Sequence, residues 1–239
     1  MKNSYWLLAI GCWLPPATSA AAPDSLAAGA GPRVATGAPE NAWWVGVWTG
    51  AAKNSPFGTR HGERHRDYYM TGLRVGRTVH ASPQLAFDYF VDLVPWIRST
   101  GNPVKYSQVA TCTRVLPSQA LVCTSSEVME TATAHGYAVT PIGLQMRAWQ
   151  GRPVELVVGA SFGAVMYDQR VPDPGEKRLN FMGDITLGVH VRTDPRGAVI
   201  AGVRQNHTSN ASTGEVNPGL DSRVLYFGVT RFVSRRAQP

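Results

Sequence analysis

Near its C-terminus the chain reads Arg204-Gln-Asn-His207-Thr-Ser209-Asn210, followed shortly by Asn217-Pro-Gly-Leu-Asp221. An imidazole, a hydroxyl and a carboxylate are the groups that nucleophilic acyl transfer needs. The hydroxyl oxygen attacks, the imidazole takes its proton, and the carboxylate fixes the imidazole tautomer and stabilises its charged form. The same residues also occur in an ordinary polar loop that closes a hairpin. Whether they can meet depends on the elements that carry them.

Those elements alternate with period two, the signature of strands. Val199, Ala201 and Val203 share one face of their segment, so Gln205, His207 and Ser209 continue that face. In the next segment Leu225, Phe227 and Val229 form the apolar set, which places Asp221 on the same side. If the two segments are antiparallel neighbours, Asp221 begins its strand beside the point where His207 ends the other. Residues i and i+2 of a strand point the same way, so His207 and Ser209 also lie within reach. Asn210, or the backbone N–H groups around Ala211-Ser212, could supply oxyanion donors.

The alternation recurs along the chain. Leu85, Phe87, Tyr89, Val91 and Leu93 alternate with Asp88 and Asp92, and Phe181, Ile185, Leu187, Val189 and Val191 with Asp184, Thr186 and His190. Eight such segments are expected, at about 43–53, 67–79, 84–98, 140–149, 153–165, 180–192, 197–207 and 221–233. Each approaches the roughly 9–11 residues with which a tilted strand crosses a bilayer. Connections after the second, fourth and sixth are short, and the others are long, as in outer-membrane barrels. The minority face carries Arg74, Arg147 and Arg204 against Asp88, Asp92, Glu155 and Asp184. Such charges can pair in a narrow lumen but would cost several kcal/mol each if they faced lipid. The predicted fold is therefore all-β: an eight-stranded antiparallel up-and-down transmembrane β-barrel over residues 42–233. A soluble lipocalin-like barrel, apolar inside, is the alternative.

Residues 1–21, with Lys2, an apolar run and small residues to Ala21, read as a secretory signal. A lipobox at Leu8–Cys12 is a weaker rival. Residues 22–41 are an Ala/Gly/Pro-rich lead-in, and 234–239 a C-terminal tail. The net charge of +7 suits an anionic lipid surface better than nucleic acid in an exported chain. Cleavage of the signal would leave Cys112 and Cys123, which are expected to pair as a staple rather than hold a metal.

Arg204–Asn210, Asn217–Asp221 and the closing Tyr226-Phe-Gly-Val-Thr-Arg-Phe232 resemble the lipid A 3-O-deacylase (PagL) family. The resemblance implies an eight-stranded outer-membrane barrel that hydrolyses an ester-linked acyl chain of lipid A without a cofactor. It implies that His207, Ser209 and Asp221 are catalytic, with Asn210 at the oxyanion hole. Two departures stand out. The family acid is usually Glu where this chain has Asp221, and a Gly common in the family is replaced by Ser212.

Other motifs are weaker. Gly159-Ala-Ser161-Phe-Gly163 matches the nucleophile elbow, but strand-like sequence continues past it where that motif needs a turn into a helix. His61-Gly-Glu63-Arg-His65 sits among arginines that repel cations. Trp43, Trp44 and Trp48 suit an interfacial aromatic belt, and Arg60, Arg64, Arg66 and Lys177 could hold phosphates or sugar acids. The expectation is an outer-membrane serine esterase with lipid A and outer-membrane lipids as partners, a second copy of the chain as a further one, and no metal or cofactor. A non-catalytic barrel for binding, adhesion or envelope integrity is the alternative.

Overall fold

The computed structural model describes residues 40–56, 65–115, 120–171, 177–215, 217 and 219–233. The expected signal segment, most of the expected lead-in and the expected tail lie outside them. Eight strands follow in order: β1 Trp43–Pro56, β2 His65–Ala81, β3 Leu85–Val115, β4 Ala120–Ala148, β5 Val154–Tyr167, β6 Leu179–Arg192, β7 Gly197–Ser209 and β8 Leu220–Phe232. Each pairs antiparallel with the next, and β8 closes on β1, giving an up-and-down barrel. Closure leaves no unpaired edge in the wall, which is what lets a sheet cross a membrane.

The two faces differ as the alternation requires. Outside, Val47, Leu73, Leu144, Ile185, Leu225 and Phe227 are exposed. Inside, buried charges of both signs pair. Arg74 donates to both oxygens of Asp92 at 2.6 and 2.7 Å, and Arg204 reaches Asp184 at 2.8 Å and Asp92 at 3.3 Å. Arg147 donates to Asp88 at 2.7 and 3.1 Å and to Glu155 at 3.0 Å, and Arg192 meets Glu155 from the other side. A soluble barrel would have these faces exchanged, so the lipocalin-like alternative is overturned.

The tryptophans divide in the same way. Trp43 faces out, whereas Trp44 and Trp48 are buried in the lumen. The Trp48 ring lies 4.1 Å beneath the Arg204 guanidinium, and a side chain at the facing Gly72 would collide with its indole. Only Trp43 of the three suits the expected belt. Short turns join β2 to β3, β4 to β5 and β6 to β7. In the last, the N–H groups of Arg196 and Gly197 donate to the Asp194 carboxylate and hold it below the usual carboxylate range.

The expected loop between the third and fourth strands is instead a continuation of both. β2 accompanies β3 only to Gly101, and β5 accompanies β4 only from Gly136. From Lys105↔Glu130 to Val115↔Ala120 the two strands pair with each other as a ribbon beyond the barrel, with Cys112 directly opposite Cys123 and joined to it by a disulfide. Side chains from Ala110 to Arg114 and from Leu121 to Ser125 are exposed on both faces. With neither face buried, the hydropathy alternation that marks the wall strands has no cause here. Closing so short a loop restricts the open ribbon by about 3 kcal/mol, locally and apart from the barrel. Cys112→Ser with Cys123→Ser should thus leave the barrel's melting temperature within about 2 °C of the parent while limited proteolysis cuts the ribbon about tenfold faster.

Candidate active site

His207 of β7 stands directly opposite Asp221 of β8 in the ladder. Its Nδ1 lies 2.8 Å from Asp221 Oδ1, and both side chains are more than half exposed on the outer wall. With Nδ1–H donating to the carboxylate, Nε2 is left with its lone pair. Ser209, two residues on, shares this face, half-buried and opposite Phe181 of β6. Its hydroxyl makes no hydrogen bond among the described residues.

The β7–β8 loop holds this geometry. Asn210 O accepts from Thr213 N at 3.1 Å and Thr213 Oγ1 at 2.7 Å, closing a turn whose central residues, Ala211 and Ser212, have φ of 51° and 61°. Left-handed backbone at two non-glycine residues costs roughly 1–2 kcal/mol each, and it explains why glycine suits the Ser212 position. Asn217 clamps the turn, accepting from Asn210 N at 3.2 Å and donating to Ser212 Oγ at 3.4 Å. Asn210 is buried with its N–H turned to Asn217, whereas the N–H groups of Ala211 and Ser212 make no hydrogen bond among the described residues.

Two glycines matter that the sequence reading passed over. Gly219, at φ 64°, lies against the imidazole edge: a Cβ there would stand 3.1 Å from His207 Cε1. Gly183 of β6 pairs with His207 on one side and Phe162 on the other. A Cβ at Gly183 would meet nothing nearer than Phe162 Cδ2 at 3.9 Å, whereas at Gly72, Gly76, Gly143, Gly163, Gly202 and Gly228 it would come within 2.0–2.4 Å of a neighbour. Packing does not require this glycine. It leaves an open notch on the outer wall, bounded by His207, Phe162, Ile185 and Phe181, whose ring is parallel to that of Phe162 at 6.1 Å.

Other candidates fall elsewhere. Ser161 points into the lumen and donates to Asp184, within an uninterrupted strand. Arg66 is buried and donates to Ser99 Oγ, Ser99 O and Gly101 O, so it does not reach outward for phosphate. Lys177 is exposed near the start of β6. Arg60, Arg64, His61 and Glu63 lie outside the described residues.

A closed barrel with a charge-paired lumen, an apolar exterior and a His–Asp pair on that exterior defines a class: a transmembrane β-barrel of the bacterial outer-membrane type. Within it, the family model for lipid A 3-O-deacylase (PagL) matches residues 118–230, a span that takes in β4 to β7 and nearly all of β8. The chain thus resembles that family over the whole of the candidate site, and the match supports a lipid A deacylase. Among solved structures, the outer membrane enzyme PagL aligns at a TM-score of 0.51 with 15% identity, covering 76% of this chain and 97% of its own; this likeness supports the fold. Neisserial surface protein A aligns at 0.43 with 13% identity (79% and 96% covered), and E. coli outer membrane protein W at 0.41 with 11% identity (81% and 98% covered). No curated protein sequence matches the chain.

Proposed function

We propose that the protein is an outer-membrane serine esterase that removes an ester-linked acyl chain, the 3-O chain, from lipid A. The observation that carries this is the His207–Asp221 pair on the lipid-facing wall with Ser209 one step away. Polar groups turned toward lipid cost a fold more than they return, so stability gives no reason for the pair. At the end of β7, beside a long loop of the cell-surface rim, it meets the depth at which acyl esters of the outer leaflet lie.

In the reaction, rotation about Ser209 χ1 brings Oγ toward His207 Nε2. Oγ attacks the ester carbonyl carbon as Nε2 takes its proton, and Asp221 stabilises the imidazolium. The oxyanion is received by the N–H groups of Ala211 and Ser212. Collapse breaks the ester C–O bond, and the sugar hydroxyl leaves with the proton from His207. Water then attacks the acyl-Ser209 ester, giving its proton to His207, and Ser209 is released with a free fatty acid.

Purified protein incubated with lipid A should yield a product lighter by one acyl chain in mass spectrometry, with one equivalent of fatty acid. Lipid A recovered unaltered would end the proposal.

The notch at Gly183 lies one step from Ser209 along the wall, toward the bilayer interior, where the first methylenes of the scissile chain would run. Gly183→Leu should slow a long-chain ester about 30-fold, the scale on which a pocket rejects excess apolar volume. Hydrolysis of an acetyl ester should change less than about threefold. Equal effects at both chain lengths would remove the notch from the site.

A further inference from the structure

Arg223 lies two residues beyond Asp221 on the same outward face, opposite Gln205, between the buried Ser222 and Val224. The interior arginines Arg74, Arg147, Arg192 and Arg204 all meet carboxylates. Arg223 is exposed on the lipid side, and the nearest outward carboxylate on its strand, Asp221, is taken by His207. No hydrogen bond or ion pair engages its guanidinium among the described residues.

A second cation follows on the neighbouring strand, just past the last β8–β1 pair. Across the β8–β1 seam Leu225 pairs with Ala51, and Lys53 is the next exposed outward position of β1. A cation on the lipid face costs about 2–4 kcal/mol at the bilayer midplane and about 0–1 kcal/mol near the interface. Both side chains are therefore tolerated where they reach the headgroup layer, whose anionic groups are phosphates. A guanidinium takes two phosphate oxygens at once, and an ammonium beside it adds a mobile point charge. The position relative to the site is also informative. The cations lie on the β8–β1 side of His207, and the open notch and the Phe162–Phe181 plates lie on its β6–β5 side.

We propose that Arg223, assisted by Lys53, binds the phosphate of an anionic membrane lipid and sets the headgroup end of the substrate on the β1 side of His207. The proposal rests on the acyl hydrolase reading of the site. A lipid held by its phosphate there and extended across His207 directs its acyl chain toward Gly183, so one orientation presents an ester to Ser209.

The test uses the full chain in neutral detergent micelles, with lipid A and with enzymatically dephosphorylated lipid A. Arg223→Gln should raise KM for the phosphorylated substrate about tenfold relative to the dephosphorylated one, with the effect in KM and not in kcat. Lys53→Gln should shift the ratio about threefold. Arg231→Gln, an outward arginine at the opposite end of β8, should leave the ratio where it is. Loss of Arg223 that affects both substrates equally, or neither, overturns the proposal.

Binding is measured separately in the Ser209→Ala background by tryptophan fluorescence titration with phosphorylated lipid. Tenfold weaker binding with Arg223→Gln supports the phosphate site even if the wild type hydrolyses nothing, an outcome that would sink the hydrolase reading alone. Unchanged binding counts against the site. Added phosphatidylglycerol separates the sources: competition with lipid A assigns the site to any lipid phosphate, and its absence assigns it to the substrate's own. Both of those results uphold the phosphate chemistry.

Discussion

Ser209→Ala is expected to abolish release of fatty acid from lipid A, lowering kcat by roughly 10⁴-fold or more, as loss of an attacking oxygen does in hydroxyl-based hydrolases. The substitution is clean in this position. The Ser209 hydroxyl makes no hydrogen bond among the described residues and sits half-buried on the outer wall, so its removal opens no cavity in the lumen and orphans no partner. The melting temperature in detergent should stay within about 2 °C of the parent. The groups act as a unit, so Ser209→Ala combined with Asp221→Asn should be no slower than Ser209→Ala alone, although Asp221→Asn by itself should cost about 10²–10⁴-fold. Residual turnover of Ser209→Ala near the wild-type rate would mean another nucleophile. Full additivity of the two losses would mean that Asp221 does not work through His207.

How far the molecule was legible in its sequence follows from which residues feel two different environments. Wall strands separate lipid from a lumen that holds the charges, and that contrast writes itself as alternation: Phe227 against Gly228, Asp184 against Ile185, Val203 against Arg204. Parity alone therefore put His207, Ser209 and Asp221 on one face and predicted that two adjacent strands would bring His207 to Asp221. The same parity divides Trp43 from Trp44 and Trp48, but a cluster of like aromatics invites a single explanation, and the lumen partners of Trp48 lie far along the chain in β3 and β7.

Two kinds of feature stayed hidden. In the ribbon the side chains of 110–114 and 121–125 are exposed on both faces, so these segments carry no hydropathy period and read as a loop. The notch at Gly183 and the close approach of Gly219 are made by the absence of a side chain, which leaves no residue type in the sequence to point to them. Only the register, which sets Gly183 between His207 and Phe162, gives that absence a meaning. Arg66 shows the opposite error: a basic residue near a loop was assigned by its charge, and its burial beside Ser99 decides otherwise.

The lumen contains the second large effect, Arg204→Met, expected to destabilise the barrel by about 3–5 kcal/mol, the cost of stranding one member of a buried charge pair. Four interior arginines and four interior carboxylates form two balanced groups, Arg74 and Arg204 with Asp92 and Asp184, and Arg147 and Arg192 with Asp88 and Glu155. Removing Arg204 leaves Asp92 its bidentate Arg74, but Asp184 keeps only neutral donors, Ser161 Oγ at 3.1 Å and Asn206 Nδ2 at 2.9 Å. A carboxylate in a low-dielectric interior without a cation is the costly species, so the loss comes from Asp184 and not from the missing contact itself. Urea titration of the protein folded in detergent micelles should show the midpoint falling. Pairing the change with Asp184→Leu should recover most of the loss, because no unpaired charge then stays behind. A single variant within about 1 kcal/mol of the parent, or a double variant no better than the single, would show that the lumen does not depend on this pairing. The same strand that turns Arg204 and Asn206 inward turns His207 outward, so a folded Arg204→Met protein should also lose esterase activity as β7 loosens against β6, whereas Arg192→Met, near the far rim, should lose stability with activity largely kept.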